Sequence, residues 1–259
     1  MNSILDKIRK LNWVLSNLND RDWAYNQLCE IFCEILEANV YVIGDEGKVL
    51  GVVYQNISDT STYTDPGTGE EKIPQEHFQN ISTISETLCN LCGQEIVKYF
   101  GQDYEMPEKY HTIVPIINSE MRYGTMIFAR YEIPFTEEDL ALCEYGATVI
   151  GLEMRRRKEE EEYQEERLRD AVDIAIESLS YSELEAVVRI FERVEDDEVV
   201  LVASKIADAY QITRSVVVNA LRKLESAGVV SSRSLGMKGT RIKITNRFLR
   251  SEIAKIKLH

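Results

Sequence analysis

Leu201-Val202-Ala203-Ser204-Lys205-Ile206-Ala207-Asp208-Ala209-Tyr210-Gln211-Ile212-Thr213-Arg214-Ser215-Val216-Val217-Val218-Asn219-Ala220-Leu221-Arg222-Lys223-Leu224 carries the plainest helical pattern of the chain. Ala203 to Tyr210 reads as a short helix with Ile206 and Ala207 on its inner face, and Gln211-Ile212 is too short to be anything but a turn. Thr213 is placed to cap a second helix, because a hydroxyl at that position accepts a hydrogen bond from an unpaired first-turn amide. Val216, Val217, Ala220, Leu221 and Leu224 follow at helical spacing, and Gly228 ends the segment. Two short helices joined by a tight turn predict a helix-turn-helix. Behind them, Val229 to Leu235 and Thr240 to Thr245 read as two strands joined by Gly236-Met237-Lys238-Gly239, a wing.

The outer face of the second helix carries Arg214, Ser215, Asn219, Arg222 and Lys223, types that reach base edges and phosphates when such a helix enters a major groove. Ser204, Lys205 and Thr213 flank it, and Arg233, Ser234, Lys238, Thr240 and Arg241 lie on the wing. A basic amphipathic helix taken alone is usually a solvated surface helix. Charge partition argues otherwise here. From Val199 to His259 there are twelve Lys and Arg against three Asp and Glu, a net of +9, whereas the whole chain carries −14 and residues 1–198 therefore −23. A basic module on an acidic chain implies a polyanionic partner, double-stranded DNA given the motif.

The 259 residues, 44% hydrophobic and 29% charged, suffice for one or two domains with a sizeable core. No apolar run approaches the roughly 20 residues that cross a bilayer, and Met1 to Lys7 lacks the apolar core of a signal peptide. A cytoplasmic location without membrane contact is expected. Five cysteines do not suit a disulfide framework. Cys89-Asn90-Leu91-Cys92 is a lone C-x-x-C, and a zinc site there would need further ligands from His77, His111 or the Cys29 and Cys33 pair. No metal is expected, and a redox or metal sensor using Cys89 and Cys92 stands as an alternative. No nucleophile elbow, metalloprotease helix, P-loop or dinucleotide fingerprint occurs, so no enzyme and no catalytic residue is expected.

Upstream, Asn2 to Leu18 and Asp22 to Ala38 have the periodicity of amphipathic helices. Asn39 to Ile43 and Lys48 to Tyr54 read as strands about the Gly44-Asp45-Glu46-Gly47 turn. Thr60 to Glu71 holds a loop signal, Asp65-Pro66-Gly67-Thr68-Gly69. Ile73 to Asn90 looks mostly helical, Glu95 to Phe100 looks like a strand, and Thr112 to Ile117 with Gly124 to Arg130 closes a hairpin. The expected class is α+β: a GAF-like antiparallel sheet with flanking helices, a long connecting helix, and a winged helix-turn-helix, divided as 1–135, 136–178 and 179–259.

Thr136 with Asp139 resembles a capping box that opens the long helix. Arg155 to Arg167 is charged on every face. Pairs Arg155 with Glu159, Arg156 with Glu160, Arg157 with Glu161 and Lys158 with Glu162, each worth about 0.2 to 0.5 kcal/mol, would support a solvated helix; a disordered charged linker is the other reading. Continuous from Glu137 to Ser178, it would span roughly 63 Å and move as one lever. Ser180-Tyr181-Ser182-Glu183 supplies a second capping box, for a helix Glu183 to Val194.

Leu179 to Ala186, Leu201 to Asp208, Ile212 to Val216, Asn219 to Gly228 and Ser232 to Thr240, with Glu144 to Val149 and Thr112 to Ile117, resemble the CodY family of bacterial global transcriptional repressors over nearly the whole chain. The resemblance implies a homodimer that binds A/T-rich inverted repeats, represses nutrient and amino-acid metabolism genes, and responds to isoleucine, valine or leucine, and in many members to GTP. Ile73 and Pro74 resemble the aromatic-proline pair of the family's effector pocket, and Tyr99 sits near its phenylalanine. The family's carboxylate-binding arginine has no counterpart: from Gly51 to Met121 the only basic residues are Lys72, Lys98 and Lys109, and a lysine lacks the bidentate fork. Asp45 and Glu46 stand where GTP-responsive members carry arginines, so GTP is not expected to bind, and an effector-independent regulator stands beside the effector-controlled one. No cofactor beyond the effector is implied.

Overall fold

The computed structural model describes residues 3–17, 24–55, 62–106, 108–192 and 197–256. Asn2, Leu18, Asp22, Thr60 and Val194, expected element bounds, lie outside them. The chain forms two compact units, Met1–Arg157 and Lys158–His259.

In the first unit the order is α1 (Ile4–Asn17), α2 (Ala24–Leu36), β1 (Asn39–Ile43), β2 (Val49–Val53), β3 (Tyr63–Thr64), β4 (Glu71–Lys72), α3 (Gln75–Ser82), β5 (Leu88–Leu91), α4 (Gln94–Phe100), β6 (Lys109–Asn118), β7 (Met121–Tyr131) and α5 (Glu137–Glu177), the last of which continues into the second unit. Five strands form an antiparallel sheet in the order β2-β1-β7-β6-β5. Side chains alternate across it. Val40, Val42, Val114, Ile116, Met126 and Phe128 join a core with α1, α2 and the first turns of α5. Tyr41, Ile43, Ile113 and Ile127 face the other way, into a second core with α3 and α4. Both faces are therefore covered, which is why every residue of β1 is buried.

The two hairpins, the loop around Asp65 and the α+β class follow the sequence expectation; two elements do not. Glu95 to Phe100 is not a strand but lies in helix α4. Its alternation Ile96, Lys98, Phe100 is compatible with either period, and the flanking glycines arbitrate: Gly93 at φ 51° and Gly101 at φ 83° bound it as caps, leaving Ile96 and Phe100, four apart, on the buried side. Ile73 to Asn90 is helical only from Gln75 to Ser82. There the Ser82 and Thr83 hydroxyls donate to the Gln79 and Asn80 carbonyls and end the helix, and Leu88 to Leu91 pairs with β6 as an edge strand with an irregular register.

The start of α5 is a reciprocal cap. The Thr136 amide donates to Asp139 Oδ2 at 3.1 Å and the Asp139 amide to Thr136 Oγ1 at 3.2 Å. Arg130, from β7, donates to the same carboxylate at 2.7 Å and to the carbonyls of Leu36, Ile133 and Pro134. Burial by itself would raise the Asp139 carboxyl, but the Thr136 amide and Arg130 outweigh it and hold the group below the usual carboxylate range. Gly146 is where α5 meets the sheet core: a Cβ there would lie 2.3 Å from Cζ of Phe32. In the charged segment the expected pairing fails for Arg157, whose guanidinium turns towards the N-terminus to Glu153 at 2.9 Å and over the Tyr25 ring rather than to Glu161. Arg156 joins it at Glu153, 2.8 Å away. A glutamate that accepts from two arginines offers a better partner than any single solvated pair.

The second unit contains the last part of α5, then α6 (Tyr181–Phe191), β8 (Glu198–Leu201), α7 (Ala203–Tyr210), α8 (Arg214–Ser226), β9 (Val230–Ser234), β10 (Thr240–Ile244) and α9 (Leu249–Lys255). Its core takes Val172 and Ala175 from α5, Val187, Val188 and Ile190 from α6, and Val217, Ala220 and Leu224 from α8. The Ser180–Glu183 capping box is present. Strand β8 and helix α9 had no expectation in the sequence. β8 is four residues long, too short for periodicity to register, and exists because it pairs with β10 to complete a sheet of order β8-β10-β9.

Candidate nucleic-acid interface and effector cavity

The helix-turn-helix forms as its sequence predicts. Gln211 takes the left-handed conformation at φ 54°, and the Ile212 amide closes back on the Ala207 carbonyl at 3.0 Å, so only three residues separate α7 from α8. Val217, Ala220, Leu221 and Leu224 bury one face of α8, which leaves Arg214, Ser215, Asn219 and Arg222 exposed on the other. Thr213 occupies the N-cap, but its hydroxyl is 2.8 Å from that of Ser215 and makes no bond to the backbone, so the capping role expected of it is not made. No side chain caps that first turn and no acidic residue stands in it, an arrangement suited to an anion.

On the wing, β9 and β10 are joined by a turn at Gly236–Lys238, with Lys238 exposed. Gly239 has φ 106°, and a Cβ there would stand 2.4 Å from the Leu201 carbonyl, so only glycine lets the wing close on β8. Arg233 and Arg241 are directly opposed across β9 and β10. Like charges at that position destabilise a hairpin, and the ion pair of Arg241 with Glu198 on β8 offsets this.

Internal ion pairing sorts the predicted residues. Lys223 donates to Glu183 Oε2 at 2.7 Å and to the Ser178 carbonyl at 2.8 Å, so it locks α8 to the start of α6 and is not presented with its neighbours. With the Ser180 amide it also holds the Glu183 carboxyl below its usual range. Arg241 pairs with Glu198 at 3.1 Å. Glu225 accepts from the Ser232 amide and hydroxyl, at 2.8 and 2.7 Å. Thr240 is half-buried at the base of the wing, and the Gly236 amide donates to the exposed Ser234 at 3.4 Å. Among the described residues Lys205, Arg214, Arg222, Arg233 and Lys238 are exposed cations without a carboxylate partner, and Ser204, Ser215 and Asn219 are exposed beside them.

The first unit holds a cavity of about 30 Å³ between the sheet and the α3–α4 side. Tyr41 and Ile43 of β1 and Ile127 and Ala129 of β7 form one wall, and Lys109 and His111 of β6 another. Ile73, His77 and Phe100 close it from outside the sheet. The Phe100 ring lies between the two imidazoles, 5.5 Å from His77 and 6.2 Å from His111. Burial pushes the His77 imidazole below its usual pKa.

Of the three residues expected to contact an effector, Ile73 lines this cavity. Pro74 sits at the N-cap of α3, and Tyr99 lines a separate surface depression with Lys98 and Asn80, its neighbour Phe100 taking the inward position. Lys109, His77 and His111 were not singled out in the sequence as pocket residues. The signal available for two of them is the alternation Lys109, His111, Ile113 along one face of a strand. Cys89 is exposed on the edge strand and Cys92 half-buried; burial and Glu144 raise the Cys89 thiol, which disfavours its thiolate. Among the described residues no group of three or more His, Cys, Asp or Glu is placed to hold a metal ion, and no helix is long and apolar enough to cross a membrane.

Comparison with known proteins agrees with both units. The CodY GAF-like domain model matches residues 3–178 and the CodY helix-turn-helix domain model residues 197–257. The global transcriptional regulator CodY of Clostridium tetani is 45% identical over 258 residues, 99% of this chain and 100% of that protein. That of Clostridium kluyveri is 46% identical with the same coverage. The solved structure described as the cofactor binding GAF domain of the nutrient sensor CodY from Clostridium difficile aligns with a TM-score of 0.50 at 38% identity, covering 60% of this chain and 99% of that one. Matched by family models along most of its length and by full-length relatives at this identity, the chain belongs to the CodY family.

Proposed function

We propose that the protein is a DNA-binding global transcriptional regulator, mainly a repressor of nutrient and amino-acid metabolism genes. It acts in the cytoplasm as a homodimer on A/T-rich inverted repeats. The observation that carries this reading is the face formed by Arg214, Arg222, Lys205, Arg233 and Lys238, which lack carboxylate partners among the described residues, while Glu183, Glu198 and Glu225 are engaged by other groups. Arg214 and Ser215 stand at the N-terminus of the recognition helix and Lys238 at the wing tip, so α8 reads the major groove and the wing holds the backbone. Fluorescence anisotropy on an A/T-rich palindromic duplex tests it. Neutralising six to ten phosphates corresponds to a loss of roughly 10³ to 10⁵ in affinity between 50 and 200 mM salt, and absence of binding at every salt concentration would overturn it.

In this proposal a small aliphatic metabolite of the branched-chain amino-acid type, isoleucine, valine or leucine, binds in the cavity and shifts the population of DNA-competent molecules. GTP has no part in it: Asp45 and Glu46 are exposed at the hairpin turn, and Lys48 is held by Glu70 at 2.6 Å. One observation favours the effector-independent reading. A volume of about 30 Å³ accommodates a water molecule and not an amino acid, so binding requires the cavity to widen. Calorimetry with isoleucine, valine and leucine separates the two, a dissociation constant near micromolar supporting control by an effector.

A further inference from the structure

The depression beside Tyr99 is a recess of about 400 Å³ between the end of α3 and the flank of α4. That volume is within the roughly 300 to 1,000 Å³ of small-molecule sites, whereas the internal cavity holds about 30 Å³. Local contacts shape it. The Ser82 and Thr83 hydroxyls end α3, and the chain then turns through Ser85 and Glu86 towards β5. Asn80 Nδ2 donates to the Tyr99 carbonyl at 3.2 Å and ties the two helices together, while Arg122 donates to the carbonyls of Ile81 and Ile84 and holds the turn to the sheet. Ile84 and Leu88 supply the apolar part of the lining on this anchored backbone.

The recess carries one charge of each sign. Glu86 lines it from the α3 side and Lys98 from α4, and among the described residues neither forms an ion pair. The Lys98 ammonium rests 5.3 Å from the centre of the Tyr99 ring, which is itself part of the lining. Opposite charges that share a recess without pairing leave one point for an anion and one for a cation. The Thr83 and Ser85 hydroxyls and the Asn80 side-chain carbonyl add neutral hydrogen-bonding groups between them. We infer that this recess binds a small polar zwitterion, its carboxylate at Lys98 and its ammonium at Glu86. Each exposed pair contributes little alone, so a ligand with both charges is favoured over a simple acid or a simple amine. A free amino acid with a polar side chain and a short peptide share this chemistry and differ in the spacing of their charges. The assignment is independent of what the internal cavity holds.

Ligand-observed NMR titration of the full chain with glutamine and alanylglutamine tests it, and the tighter of the two tells an amino acid from a peptide. N-acetylglutamine and glutaminamide each lack one charge and should bind roughly two- to fivefold more weakly than glutamine. Lys98→Gln and Glu86→Gln should each weaken the preferred zwitterion by a similar factor. Glu86→Gln should not weaken N-acetylglutamine, which has no ammonium to lose. Both substituted side chains are exposed, and melting curves check that the variants keep the wild-type fold. Absence of saturable binding by both zwitterions would overturn the inference. So would variants that bind them as the wild type does, or a Glu86→Gln protein that loses N-acetylglutamine as much as the zwitterion.

Discussion

Arg222 and Lys223 are adjacent cations on one helix, yet a single turn of direction gives them different work. Arg222 is exposed, whereas Lys223 is tied to Glu183 and the Ser178 carbonyl. Arg222→Ala should weaken DNA binding with little change in melting temperature. Lys223→Ala should do the reverse, costing about 1 kcal/mol of stability after allowance for its partial exposure, measurable by urea denaturation. Asp139 is a second residue with a defined task. Because its carboxyl is held below the usual range when folded, its contribution is fully present above an ordinary carboxylate pKa of about 3.9 and is lost as pH falls through the lowered folded value. Asp139→Asn should cost about 2 kcal/mol at neutral pH and reduce the steepness of acid unfolding below about pH 4, followed by circular dichroism.

Among the elements, α8 and the wing make separable contributions. Arg214→Glu puts a negative charge at the N-terminus of α8, which the helix dipole accommodates but which repels a phosphate docked there, and should abolish binding in a gel-shift titration. Lys238→Ala at the wing tip should weaken binding alike for operator and random duplex and lower the salt slope by about one. Normal binding by Arg214→Glu would remove α8 from the groove. The elements whose nature was hard to read, α4 and β5, share a cause. Both are short, and in a segment of four to seven residues two and four are both buried spacings, so periodicity does not discriminate. The Gly93 and Gly101 conformations and pairing with β6 do.

For the molecule as a whole, the cores divide at the unit boundary, whereas the charge reverses sign within the second unit, near residue 198. The first unit has its cores on the two faces of one sheet, and the second has its own around α6 and α8. Two such cores are expected to unfold as two calorimetric transitions. Duplex DNA should raise the transition of the unit that holds the helix-turn-helix, by mass action on its folded form. A single transition unmoved by DNA would contradict this division of labour.

The sequence by itself determined the helix-turn-helix and wing, the class of the first unit, both capping boxes and the family. Each rests on local signals: apolar spacing over ten or more residues, turn glycines, hydroxyl and carboxylate three apart, and a net charge that reverses sign near residue 198. Which charged residues are engaged within the protein depends on tertiary structure. Lys223 and Arg222 are alike in the sequence, but ion pairing and burial depend on neighbours distant in the chain: Glu183, forty residues before Lys223, and the cavity walls drawn from β1, β6, β7, α3 and α4. The inward turn of Phe100 rather than Tyr99 is of the same kind, because which face of a short helix is buried is settled by the sheet it packs on.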